Sequence, residues 1–182
     1  MRIVSIDFET TGHVPGWRND PWQLGIVEIV DGKVEKSTKR EYFFKMDKDR
    51  PFSATVPGRW AQMRDVLAQS PEFMDVWPEL AEILVGSKLV AHNAATERTI
   101  LTRLAPLTPF GPWEDTLKLS RKYCKLPSYK LGDLIKALNL QDSLDSLFEG
   151  ENRTWHDALY DACAGALLFC KMNPCCQQEF AF

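Results

Sequence analysis

Three short stretches of this 182-residue chain carry side chains able to gather a cation and move a proton. In Ile6-Asp7-Phe8-Glu9-Thr10-Thr11-Gly12 the two carboxylates stand at i and i+2. On a regular strand such a pair points to one face, so both can reach a single hard cation that takes oxygen ligands. A bare Asp-x-Glu is ordinarily a solvated strand end. Here a β-branched run precedes the pair and a tight turn follows it, which favours the edge of a buried strand. In Val90 to Glu97 a short apolar strand enters the polar turn His92-Asn93 and then a helix. Alone, His92-Asn93 reads as a turn-stabilising pair and Glu97 as a first-turn acid favoured by the helix dipole. In Trp155 to Ala162, a cap at Asp157 sets Asp161 about one turn inside an apolar helix, with His156 just before it and facing the same point. A lone His in that position is more often a surface or capping residue. The recurrence of three acidic clusters opens the catalytic reading.

The elements that must position these groups follow from pattern. Arg2 to Phe8 reads as a buried strand, and Trp22 to Val30 as a second. Asp31-Gly32 gives a hairpin signal into a third strand running from Lys33 to about Lys45. Asp47 to Pro71 reads as mostly loop, with a short helix around Trp60 to Leu67. A helix is expected over Pro78 to Val85 with Pro in its first turn, then a strand over Lys88 to Ala91. Further helices are expected at Ala94 to Leu104, Thr116 to Cys124, Leu131 to Leu138 and Asp157 to Met172. Hairpin strands, then strand and helix in alternation, then a helical last third point to one α/β domain over residues 1–182 with a mixed sheet.

A composition of 45% hydrophobic and 26% charged residues is that of a globular chain with a sizeable core. The net charge of −3 argues against coating nucleic acid by bulk electrostatics. It does not exclude an enzyme on nucleic acid, because an acidic site turns attractive to phosphate once cations bind. No stretch has the length of a membrane span, and the run before Asp7 is too short for a signal peptide. The five cysteines, Cys124, Cys163, Cys170, Cys175 and Cys176, fit reduced thiols. A cytoplasmic protein is expected.

Taken in order, the three stretches resemble the motifs of the DEDDh exonucleases, a family that includes the proofreading subunit of bacterial replicative polymerases and RNase T. Asp7-Phe8-Glu9-Thr10-Thr11-Gly12 matches the first motif, His92-Asn93-Ala94 opens the second, and His156-x-Ala158-x-x-Asp161-Ala162 matches the third. Asp115-Thr116-Leu117 and Lys130-Leu131-Gly132-Asp133-Leu134 resemble the stretch between them. Position 157, where the tyrosine branch would carry Tyr, is Asp, which favours the histidine branch. Two departures stand out. Thr96-Glu97 replaces the usual Phe-Asp, and Gln23 replaces a common Glu.

The resemblance implies an RNase H-like mixed sheet with flanking helices and a 3′-to-5′ exonuclease releasing nucleoside 5′-monophosphates from single-stranded DNA or RNA ends. It implies two Mg²⁺ or Mn²⁺ ions held by Asp7, Glu9, Asp161 and Glu97, with Asp7 bridging both and Glu97 orienting water around the second. His156 is the expected general base. Thr10, Thr11, Gly12, His92 and Asn93 are the expected substrate contacts, and His13 either stacks on the terminal base or is solvated. A basic stretch of Lys118, Arg121, Lys122, Lys125 and Lys130 reads either as a guide for a phosphate backbone or as a solvated face. A polymerase or a second copy of the chain is the alternative protein partner. Two rival functions are a nucleic-acid-binding module weakened by Glu97 and a hydrolase of short oligonucleotides.

Overall fold

A computed structural model describes residues 2–173. The N-terminal run forms β1 (Ile3–Thr10), which pairs antiparallel with β2 (Pro21–Val30). The chain then returns along the same edge of β2 in two pieces, β3 (Lys33–Val34) and β4 (Arg40–Phe43), separated by a 3₁₀ turn at Lys36–Thr38. The single third strand expected from Lys33 to Lys45 is therefore broken. The Glu35 carboxylate caps the 3₁₀ turn by accepting from Ser37 N at 3.1 Å, and local capping of this kind competes with ladder pairing.

Residues 44–63 carry no regular element beyond a 3₁₀ turn at Trp60–Met63, as the breakers predict, and α1 (Arg64–Gln69) follows. The next helix, α2 (Phe73–Leu84), begins five residues earlier than expected and holds Pro78 in its interior. Pro78 has no N–H to offer the carbonyl of Met74 one turn back, and Met74 is exposed, so water can reach that turn. Asp75 fixes the start by accepting from Glu72 N at 3.0 Å.

Then come β5 (Lys88–Ala91), α3 (Ala95–Leu104), β6 (Trp113–Asp115), α4 (Thr116–Tyr123), α5 (Leu131–Ala137), α6 (Gln141–Leu147) and α7 (Ala158–Met172). Strand β6 and helix α6 are additional to the elements that pattern predicts. The sheet order is β3-β2-β1-β5-β6, with β4 also on β2, and β1-β5 and β5-β6 are parallel. The sheet is mixed, as expected.

Alternation along β1 decides the layering. Val4, Ile6 and Phe8 join a core with Leu80, Leu84, Ile100 and Leu101 on the α2 and α3 side. Ser5, Asp7 and Glu9 share the opposite face, under α7, where Ser5 Oγ donates to Ala162 O at 2.7 Å. On that side α7 is buried nearly all round by Val27, Ile29, Leu134, Leu144 and their neighbours. Gly25 of β2 pairs with Asp7, and a Cβ there would collide with the backbone of Ala158 and Leu159. Glycine lets the first turn of α7 sit directly on the sheet beside Asp7. Among the described residues no helix is long and apolar enough to cross a membrane. Cys163 is buried and Cys124 and Cys170 are half-buried; Cys175 and Cys176 lie outside the described residues.

Candidate active site

The C-terminal ends of β1 and β5 and the first turns of α3 and α7 meet at one edge of the sheet. Asp7 and Glu9 come from β1, whose register with β2 shifts between Glu9 and Thr10. Such an irregularity re-aims the strand end, a common device beside a site. Asp161 enters from the first turn of α7, where Asp157 accepts from Leu159 N at 3.2 Å and Tyr160 N at 3.3 Å as the expected cap. His156, just before the cap, sits at φ 66°, and its backbone N–H donates to Asp161 Oδ2 at 3.2 Å. One ligand atom each of Glu9, His156 and Asp161 lies within 4.8 Å of the others. Glu97 is 3% exposed on the first turn of α3.

These acids feel one another strongly. Burial holds the Asp7 carboxyl well above its ordinary range, and repulsion from Asp161, Glu97, Glu9 and Asp157 adds to this. Burial pushes Glu9 up to about 8, with Asp161 and Asp157 contributing. It pushes Glu97 up to about 8, aided by Asp115, and Asp161 up to about 7, aided by Asp157. Burial also lowers His156 from 6.5. Thus the acids resist ionisation while the imidazole stays neutral near pH 7, ready to accept a proton.

The donor set fits hard divalent cations. Among the described residues, the buried side-chain polar atoms without a hydrogen-bond partner are Trp22 Nε1, Arg50 Nη1, Glu97 Oε2 and Asp161 Oδ1. Two of these are carboxylate oxygens of this cluster, which such a charge-dense ion would satisfy. Glu97 adds its charge to those that raise Asp7, while the ligand atoms gathered within 4.8 Å are those of Glu9, His156 and Asp161.

A stability test follows from the signs. Carboxyls whose folded values are raised stabilise the fold fully below about pH 4, their unfolded range, and that contribution is lost as pH rises through about 7 to 8. The cation-free protein should therefore melt lower at pH 8.5 than at pH 5, by about 2–4 °C for each kcal/mol at this length. Mn²⁺ should raise the melting temperature more at the higher pH, because binding needs ionised carboxylates. Thermal scans with and without Mn²⁺ check this; a Mn²⁺ increment that does not depend on pH would contradict it.

The five expected substrate contacts are placed differently from one another. Thr10 is half-buried beside the cluster, whereas Thr11 is fully buried and its hydroxyl accepts from Asp20 N at 3.0 Å. Gly12 takes φ 71° and packs against Ser53 and Val56. His92 spends both ring nitrogens internally, Nδ1 on Thr116 Oγ1 at 3.0 Å and Nε2 on the Tyr129 carbonyl at 3.1 Å. Asn93 is exposed at φ 68°, and its backbone N–H donates to Asp115 Oδ1 at 3.1 Å. That carboxylate also caps α4 through Leu117 N at 3.0 Å, so Asp115 pins the second motif's turn to the helix after β6. An Asp ahead of a helical run is a legible cap, but its second bond is not. His13 is exposed.

Gln23 is buried with its amide N–H donating to Glu41 Oε1 at 2.7 Å and its carbonyl accepting from Ala158 N at 3.3 Å. It fastens the start of α7 to β2 and β4. A trough of about 760 Å³ runs past His156 and Asp161, walled by His92, Arg121, Tyr129, Lys130, Lys136 and Trp155. The basic stretch divides: Arg121 and Lys130 face this trough, while Lys118 and Lys122 line a separate hollow with Arg98.

A family model for exonucleases, RNase_T, matches residues 4–169. The chain belongs to this exonuclease family. The PolC-type DNA polymerase III of Thermotoga petrophila is 29% identical over 142 residues, 76% of this chain. This exonuclease chain spans only about a tenth of that relative's length. Exonuclease X, solved in complex with 5′-overhanging duplex DNA, matches with TM-score 0.65 and 26% identity over 100% of this chain and 93% of that one. The nuclease domain of 3′hExo, a DEDDh family member bound to rAMP, shares the fold at TM-score 0.70 and 18% identity, covering 96% of this chain and 94% of that one. The exonuclease family and the RNase H-like mixed α/β fold read from the ordered motifs are thus upheld.

Proposed function

We propose that this member of the exonuclease family is a metal-dependent 3′-to-5′ exonuclease that releases nucleoside 5′-monophosphates from single-stranded ends. The observation that carries the reading is the gathering of Glu9, Asp161 and His156 within 4.8 Å, beside Asp7 and Glu97. Asp7, Glu9, Asp161 and Glu97 would hold two Mg²⁺ or Mn²⁺ ions, which supply charge neutralisation at the phosphate and an activated nucleophile at neutral pH. His156 accepts the proton of the attacking water, its imidazole kept neutral by burial. Asp161 orients the His156 peptide through the bond from its backbone N–H. The 3′ end enters beside Thr10 and Gly12, with Asn93 on the opposite lip, while Thr11 and His92 shape the walls from within.

The strand is led in along the trough, where Arg121 and Lys130 meet phosphates and Tyr129 and Trp155 offer aromatic surface. Charge reversal separates this route from a merely solvated face. Arg121→Glu should weaken affinity for a single-stranded oligonucleotide and lower the slope of log affinity against log salt by about 0.7, the share of one phosphate contact. Lys122→Glu, on the other hollow, should change little. Equal effects of the two, read by fluorescence anisotropy across a salt series, would contradict the route.

Degradation of 5′-labelled single-stranded DNA and RNA with Mg²⁺ or Mn²⁺, with Asp7→Asn as control, tests the reaction, its direction and its sugar preference together. A ladder shortening from the 3′ end is expected. Strand binding without shortening would instead support a module that binds but does not cut. The likeness to a polymerase chain supports a polymerase as the protein partner.

A further inference from the structure

We infer that Arg153 is a positioning residue for His156, acting through an ion-pair lattice that clamps the loop ahead of α7. The inference rests on His156 being the general base. Arg153 grips Glu41 of β4 with two bonds, Nη1 to Oε1 at 2.7 Å and Nη2 to Oε2 at 3.0 Å. Its Nη1 also reaches both Asp157 oxygens, at 3.0 and 3.1 Å. The residues at 153 and 157, which flank His156 in sequence, are therefore tied to one another and to the same strand. That span carries the His156 backbone at φ 66°, a left-handed conformation uncommon for a non-glycine residue, so the ties on either side of it bear on where the ring is held.

A second guanidinium joins from another direction. Arg59 meets Glu41 Oε1 at 3.1 Å and Asp157 Oδ2 at 2.9 Å. A side chain at the neighbouring Gly58 would crowd the His156 carbonyl, so the Arg59 loop passes close to the His156 backbone. Gln23 completes the lattice from β2 by donating to Glu41 and accepting from Ala158 N. Side chains of Arg153 and Glu41 are 17% exposed and that of Asp157 is 7% exposed. Ion pairs so enclosed add little net stability but fix geometry when fully bonded. The bidentate fork on Glu41 needs a planar guanidinium, so lysine cannot reproduce it while also reaching Asp157.

The test compares Arg153→Met, Arg153→Lys and Glu41→Gln, each alone and in a His156→Ala background, on a 5′-labelled single-stranded oligodeoxynucleotide with Mn²⁺. Glu41→Gln leaves Asp157 paired with both arginines and serves if the Arg153 variants fail to fold. In the parent background kcat should fall on the order of 10- to 100-fold with KM nearly unchanged, as for a displaced reacting group. In the His156→Ala background the same substitutions should cost nothing further, because the group they position is gone. An unchanged kcat, or an equal loss in both backgrounds, overturns the inference and leaves the general base standing. Full activity of His156→Ala alone would remove the general base itself.

Discussion

Asp7→Asn is expected to lower hydrolysis at saturating Mg²⁺ or Mn²⁺ at least about a thousandfold, while raising the melting temperature of the cation-free protein. The two effects have one cause. Asp7 lies where burial and the charges of Asp161, Glu97, Glu9 and Asp157 all oppose its ionisation. An amide of nearly the same shape removes that repulsion, so the fold gains. The same amide is a poor ligand for a hard cation and leaves the remaining carboxylates without the member they surround, so the reaction fails. Initial rates and thermal scans on the same preparations check the pair. A variant that kept a tenth of the parental rate, or that melted below the parent without cations, would sink the account of the cluster as a cation cradle.

His156→Ala should reduce kcat by about 10²- to 10⁴-fold, the span of general acid–base contributions, and leave Mn²⁺ binding essentially intact by calorimetry. With Mn²⁺ saturating at every pH, so that ionisation of the carboxyls does not limit the rate, the parental rate should climb with pH along an acid limb that lies below 6.5, because burial lowers the imidazole from that value and only the neutral ring accepts a proton. That limb should vanish in the variant. The geometry makes the calorimetric arm informative, since a ring nitrogen of His156 stands within 4.8 Å of a carboxylate oxygen of Glu9 and one of Asp161. If Mn²⁺ affinity collapsed together with the rate, His156 would be a ligand and the proton would have to leave by another route.

The parts of the molecule legible in the sequence were those with strong local signals. Alternation in β1, the Asp31-Gly32 turn, the capped start of α7 and the Asp7-Glu9 pair each follow from neighbouring residues, and the fold has them close to where pattern puts them. Three-residue β6 is too short to display a period, and α6 is a two-turn helix held by Leu144 and Leu147 rather than by propensity. Pro78 signals a helix start, yet α2 already runs from Phe73, and nothing local reveals that Met74 one turn earlier is exposed to water. In the candidate site, the Asp7-Glu9 pair is legible because a strand turns residues i and i+2 to one face. Thr11 and His92 carry the same polar atoms as a substrate contact would, and only the fold reveals that Asp20, Thr116 and Tyr129 already claim them. The lattice of Arg153 and Glu41 joins positions 112 residues apart, and no motif spans that distance.

Gly25 joins two properties that protein engineers usually adjust separately. Because the first turn of α7 rests on β2 where a side chain would otherwise project, and because Gly25 is the strand partner of Asp7, any methyl group introduced there would act as a wedge. Lifting the helix by the width of that wedge would draw Asp161 away from Asp7 even if the protein still folded. Thermostabilising redesign of this interface therefore has no freedom at that position, and selection for catalysis and selection for packing would both return glycine.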